Sequence, residues 1–164
     1  MKTYKTIILI ISISLGILSC EQERLDPVLT TAEGGGTLNT YYAYTLDSTD
    51  PMGDNVYGRV VFYKTTLDQT LVQISLYNTD EAVSYPALVI DGAVGTEMTT
   101  SMTFDNIDGA TGEFTESKFY VIADTAFYDS IMDLDAHVNI YMPSDDSIVA
   151  SGNIGMNADP VETN

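Results

Sequence analysis

The sequence predicts an all-β fold: an antiparallel sandwich or barrel of about eight strands, with one short helix. Three observations carry that reading. Short runs rich in β-branched and aromatic residues recur about every ten to twelve residues from Thr37 onward. Clusters of Gly, Pro, Asn and Asp separate those runs. A single segment late in the chain breaks the alternation and has helical spacing instead.

The strand candidates, in order, are Leu38–Leu46, Val56–Lys64, Leu71–Tyr77, Tyr85–Ile90, Thr99–Asp105, Glu113–Ile122, His137–Met142 and Ile148–Ile154. Turn chemistry sits between them at Pro51-Met52-Gly53-Asp54-Asn55, Asp91-Gly92 and Asp108-Gly109-Ala110-Thr111-Gly112. In the third run Val72, Ile74 and Leu76 alternate with Gln73, Ser75 and Tyr77. In the seventh, Val138, Ile140 and Met142 alternate with His137, Asn139 and Tyr141. Successive strand side chains point to opposite faces, so the first set of each is expected on the core and the second on the outside. Between Asp124 and Leu134, Phe127, Ile131 and Leu134 share one helical face, with Asp124 or Thr125 as the expected N-cap. Pro160 and the polar end to Asn164 read as a loose tail.

The segment before the first strand is of another kind. Lys2 and Lys5 precede an apolar stretch from Ile7 to Leu18. Its length suits the hydrophobic region of a signal peptide and falls short of the roughly 20 residues of a membrane span. It closes in Ile17-Leu18-Ser19-Cys20, which resembles the lipobox of bacterial lipoproteins. The resemblance implies cleavage after Ser19, a diacylglyceryl thioether on Cys20 and an acyl chain on the new amino group. Cys20 is the only cysteine in the chain and can form no internal disulfide. One fatty chain holds a protein only marginally, at about 0.8 kcal/mol per buried methylene, whereas three should hold it permanently. The expected organisation is a signal peptide over residues 1–19, a lipidated flexible tether over 20–36 with Pro27 and Gly34-Gly35-Gly36, a β-sandwich over 37–158 and a tail over 159–164.

Charge narrows the partners. With Lys2 and Lys5 removed in the signal, four basic residues remain (Arg24, Arg59, Lys64, Lys118) against 24 acidic ones, a formal charge of −20. Nucleic acid is excluded on this ground, because phosphate binding depends on clustered Lys and Arg. Lying flat on an anionic bilayer is disfavoured for the same reason. The acids read as a solubilising surface, with divalent-cation binding as the sharper alternative.

The second half carries a family resemblance. His137-Val138-Asn139-Ile140-Tyr141, followed by Val149-Ala150-Ser151-Gly152-Asn153-Ile154-Gly155, resembles the end of a CHRD (chordin-type) domain, which closes in an "N-hydrophobic-H … VA-x-GDIG" pattern. Tyr85-Pro86-Ala87-Leu88-Val89-Ile90, with Gly92 and Gly95, occupies the place of that family's "PAHIH-x-G", and Gly58-Arg59-Val60-Val61-Phe62 resembles its "G-x-V-x-F" strand. The resemblance spans roughly Thr40 to Asn157. It implies an immunoglobulin-like or superoxide-dismutase-like Greek-key sandwich with no established enzymatic activity.

The departures bear on chemistry. Leu88 and Ile90 stand where the family has two histidines, and Tyr141 where it often has another. An H-x-H pair on a strand points two imidazoles the same way; Leu and Ile cannot ligate a metal. His137 is the only histidine and by itself falls short of a zinc or copper site. No metal, cofactor or catalytic residue is therefore expected. Ala87 and Val89 should face the core, and Leu88 and Ile90 the other side, covered by Tyr141 and a nearby loop as a small dry cluster.

Other motifs are weaker. Asp105-Asn106-Ile107-Asp108-Gly109 lacks EF-hand spacing and reads as a turn, as does Asp145-Asp146. No G-x-S-x-G elbow accompanies His137. Met98 and Met102 read as core gap fillers. Tyr41, Tyr42 and Tyr44 read as half-buried strand residues or as part of a sugar- or peptide-binding surface. The expectation is thus a lipoprotein anchored through Cys20 in the outer membrane of a Gram-negative bacterium, periplasmic or surface-exposed, carrying a non-catalytic CHRD-like binding, adhesion or accessory module for a protein or glycan. The alternatives are a metal-handling superoxide-dismutase-like protein and a surface enzyme acting on glycans or peptides.

Overall fold

A computed structural model describes residues 38–96, 99–110 and 119–164. The strands are β1 (Thr40–Ser48), β2 (Tyr57–Lys64), β3 (Thr70–Tyr77), β4 (Ser84–Tyr85), β5 (Ala87–Asp91), β6 (Thr100–Thr103), β7 (Ile107–Asp108), β8 (Phe119–Ile122), β9 (Asp135–Tyr141), β10 (Ile148–Gly155) and β11 (Glu162–Thr163). One short helix, α1 (Phe127–Ser130), runs into a 3-10 turn at Ile131–Asp133. Nine strands form one curled antiparallel sheet in the order β6-β5-β9-β10-β1-β2-β3-β8, with β11 beside β1; β4 and β7 form a separate two-stranded ladder. The predicted all-β sandwich is what the chain forms.

The curl brings two halves face to face. β1, β2, β3 and β8 make the first half, and β10, β9, β5 and β6 the second; β1 and β10 join them through the pairs Asp47–Ser151 and Ser48–Ala150. Alternate residues of each half point inward. Tyr44, Leu46, Val60, Phe62, Val72, Ile74 and Leu76 belong to one buried cluster with Ala87, Val89, Val138, Ile140, Ala150 and Ile154. The inward sets read from the sequence on β3, β5 and β9 are the ones observed. Met102, opposite Val89 on β6, packs against this core as a gap filler; Met98 lies outside the described residues.

Gly152 and Gly155 explain the C-terminal motif. A Cβ on Gly152 would lie 2.0 Å from the carbonyl oxygen of Thr45, so only glycine lets β10 approach β1 this closely. Gly155 has φ +64°, in the left-handed region, and a Cβ there would meet the carbonyl oxygens of Leu134 and Ile131 at 2.1 and 2.6 Å.

Four expectations need correction. The helix begins after Ala126, with no side-chain cap; Asp124 instead accepts from the Ala126 N–H at 2.9 Å in a turn ahead of it. Phe127, Ile131 and Leu134 nevertheless pack on the core together. Ile107–Asp108 is not a plain turn but pairs with Ser84–Tyr85, and Ile107 is buried. The chain end is not loose: Glu162–Thr163 pairs with Ala43 and Tyr42, and Asn164 and Tyr41 exchange backbone hydrogen bonds at 3.0 and 3.2 Å. β10 pairs with β1 only at the last two residues of β1, Asp47 and Ser48, so the rest of that edge is open to the chain end. Finally, several residues assigned to the outside are buried, namely Gln73, Ser75, His137 and Asn139. Each sits on an interior strand of the sheet.

Candidate binding face

Cys20 and the expected signal peptide and tether lie outside the described residues, as do residues 113–118 of the run Glu113–Ile122.

The outer face of the second half holds the positions at which the family resemblance places histidines. Antiparallel register sets Leu88 opposite Asn139 and Ile90 opposite His137. On the other side of β9, Ser151 lies opposite Asn139 and Asn153 opposite His137. Ile90 is 7% exposed and Leu88 half-buried. The polar residues satisfy one another. His137 Nδ1 donates to the carbonyl oxygen of Gly92 at 2.7 Å, which requires the proton on Nδ1. The Ser151 hydroxyl donates to Asn139 Oδ1 at 2.6 Å, and Asn139 Nδ2 donates to the Tyr141 hydroxyl at 3.3 Å. Asn153 Oδ1 accepts from the Val94 N–H at 2.7 Å. The expected dry cluster is thus a mixed one, two apolar side chains bordered by a hydrogen-bonded ladder. Tyr141 bonds back to Asn139, and the loop after β5 is bonded to His137 and Asn153. Its polar atoms clasp that loop to the sheet, and Leu88 and Ile90 offer no ligand atom. Among the described residues no three His, Cys, Asp or Glu side chains gather as a metal site would need.

The outer face of the first half is different. Odd-numbered residues of β2 point outward, giving Tyr57, Arg59, Val61 and Tyr63 in one file. Tyr41 lies opposite Tyr63, and their rings are 5.6 Å apart; Phe119 from β8 stands 5.9 Å from Tyr63 on its other side. At the far end of β2, Tyr57 stacks on Tyr77 at 5.4 Å and 25°. Phe119 is 46% and Tyr57 42% exposed. Beside the first aromatic group, Tyr41, Arg59, Val61, Tyr63 and Glu162 line a depression of about 170 Å³. Val61 forms a buried floor. Arg59 and Glu162 form an ion pair at 3.6 Å, and the Tyr63 hydroxyl donates to Gln73 Oε1 at 3.2 Å. Burial pushes the Tyr63 phenol above its ordinary value, the Arg59 charge opposing that shift.

Of the three tyrosines singled out in the sequence, only Tyr41 belongs to this face. Tyr44 is a core residue, and Tyr42 stacks on Tyr128 at 5.1 Å beside α1. Tyr57, Arg59, Tyr63, Tyr77 and Phe119 were not read as a group. Strict alternation along β2 was the available signal; the neighbouring strands that complete the face are far away in sequence.

A groove of about 420 Å³ lies between the β1–β2 and β9–β10 loops, with Asp50, Asp54 and Asp145 on its walls. Two of its carboxylates serve the turns. Asp50 Oδ1 accepts from the Gly53 N–H at 2.9 Å. Asp145 Oδ1 accepts from the Ser147 hydroxyl at 2.7 Å and its N–H at 3.1 Å, and these bonds hold it below the usual carboxylate range. Asp145-Asp146 is the turn expected from the sequence.

No family model, curated protein or solved structure matches this chain.

Proposed function

We propose that this chain is a lipid-anchored envelope protein of a Gram-negative bacterium whose CHRD-like β-sandwich is a non-catalytic binding module. The anchor rests on Ile17-Leu18-Ser19-Cys20 after a short apolar stretch. The binding role rests on one observation above the others: a half-buried aromatic file with a central Arg–Glu pair, exposed at Tyr57 and Phe119, lies on the outer face of the first half, where a core-forming sheet needs neither. The other outer face supports the same reading. Its histidine, asparagines and serine are engaged in holding a loop, and its two apolar residues carry no reactive atom.

Two measurements test it. Metabolic labelling with a palmitate analogue should mark the wild-type chain and not Cys20→Ser, and Cys20→Ser should leave the membrane fraction. The purified chain in detergent micelles should retain a protein or polysaccharide ligand from envelope and extracellular fractions. An unlabelled wild-type chain would remove the anchor, and a chain that retained nothing would remove the module.

A further inference from the structure

We propose that the outer face of β1, β2, β3 and β8 binds an extended, uncharged polysaccharide lying along β2. This inference rests on the binding-module reading and names its ligand class.

The face has the chemistry that sugar rings need. A pyranose presents patches of polarised C–H groups, which sit favourably over the electron-rich faces of aromatic rings. Here five rings occur in two groups, Tyr41, Tyr63 and Phe119 at one end and Tyr57 with Tyr77 at the other. Contacts among the rings hold them in place, so binding orders few side chains, and tyrosine has only two torsions to lose. Sugar hydroxyls need donors and acceptors close to the rings. Arg59 supplies a fork of donors and Glu162 an acceptor, on the wall of the same depression as Tyr41 and Tyr63.

The spacing indicates a chain rather than a single sugar. Tyr57 and Tyr63 are six residues apart on one strand, about 20 Å at roughly 3.3 Å per residue. A ligand touching both groups must cross Arg59 and Val61, so it is an oligomer running with the strand.

Other occupants fit less well. Single-stranded nucleic acid also stacks on aromatic rings, but it needs a positive groove; here Arg59 is already paired with Glu162, and the mature chain carries a formal charge of −20. The same charge repels anionic polysaccharides. A peptide strand adds to a sheet edge rather than lying on its face. A protein partner of standard size covers about 800 Å² with few charges at its centre, whereas this face has its ion pair in the middle.

The test uses the full chain in detergent micelles and affinity electrophoresis in gels containing laminarin, xylan or mannan, with alginate as the anionic control. The chain has no tryptophan, so quenching or enhancement of its tyrosine emission gives a second readout. Retardation by at least one neutral polysaccharide is expected, and none by alginate. Tyr63→Ala and Tyr57→Ala should each weaken binding at least tenfold. Tyr57→Ala should also abolish the preference for longer oligosaccharides, while Tyr57→Phe should keep both. Circular dichroism verifies each fold; if Tyr63→Ala unfolds, Phe119→Ser at an exposed position replaces it. No neutral polysaccharide bound, or binding unchanged in both alanine variants, would overturn the proposal. Capture of a protein without any polysaccharide would overturn it while leaving the binding module standing, and retention of neither would remove both.

Discussion

His137 Nδ1 and the carbonyl oxygen of Gly92 are joined at 2.7 Å across the outer face of the second half, fixing the loop after β5 to β9, its neighbour in the sheet. The one histidine of the sequence therefore acts as a structural pin. His137→Ala would leave a buried carbonyl without its donor and a void beside Ile90. The expected loss is about 2–3 kcal/mol, a buried hydrogen bond plus a cavity. Urea denaturation should show it as a lower midpoint with an unchanged slope.

Metal content checks the same face from another side. Wild-type protein should carry no stoichiometric zinc or copper, and a chelator should leave its melting temperature unchanged. Leu88→His with Ile90→His should behave otherwise. Residues two apart on β5 share a face, and Ile90 already lies opposite His137. The double variant should therefore acquire zinc or copper affinity measurable by calorimetry, and the further change His137→Ala should remove it. Stoichiometric metal in the wild type would contradict the assignment of this face as a loop clasp.

Gly152 and Gly155 should tolerate substitution poorly, for two reasons. Gly152→Ala drives a Cβ into the Thr45 carbonyl and separates the strands that join the two halves. Gly155→Ala places a side chain at φ +64° against the carbonyls of Leu134 and Ile131. Each should cost on the order of 2 kcal/mol or more, as strain at a special backbone position does. Ile154→Ala, fully buried between them, should cost about 2–5 kcal/mol. Thermal unfolding of the three variants measures all of this. A Gly152→Ala protein as stable as the wild type would show that the strands can separate freely.

Alkaline pH should destabilise the fold. The Tyr128 hydroxyl is buried with no hydrogen-bond partner among the described residues. Burial, with the nearby Tyr42, raises its pKa well above the ordinary tyrosine value of about 10. Tyr44 and Tyr63 are raised in the same direction, again chiefly by burial. A group whose folded pKa is raised contributes stability that is fully present below its unfolded pKa and is lost as pH climbs toward the folded one. The contribution of these tyrosines should thus be level below about pH 10 and fall above it. Tyr128→Phe deletes an unsatisfied buried hydroxyl, so it should be neutral or stabilising at pH 7 and should flatten the alkaline limb. Denaturant melts at a series of pH values would reveal either outcome.

The fold was largely legible because strands carry their evidence locally. Val72, Ile74 and Leu76, or Val138 and Ile140, alternate within one short run, and burial follows from period two. Features made by distant segments were hidden. Gln73 and His137 read as outward-facing, and so they are, but their burial depends on Tyr63 and Gly92, brought alongside by folding. Glu162–Thr163 is too short and polar to show a period, and it pairs because β10 leaves part of β1 uncovered. The aromatic face needs residues from β1, β2, β3 and β8, so only Tyr41 of its five rings drew notice. The C-terminal glycine motif stood out most in the sequence, yet its glycines are there for close strand approach and a left-handed turn, not for a ligand.

β1 is the first strand after the predicted tether, and it pairs with β2 through seven consecutive residues from Thr40 to Leu46. Mechanical load arriving from a membrane anchor would enter the domain at Thr40, in line with the strand. Antiparallel hydrogen bonds run perpendicular to that axis, so the seven pairs would be sheared together rather than opened one after another. β11 and β10 grip the opposite edge of the same strand. The proposed ligand face includes β1 and β2, so drag on a captured polymer and the pull of the membrane would meet in the same strand pair.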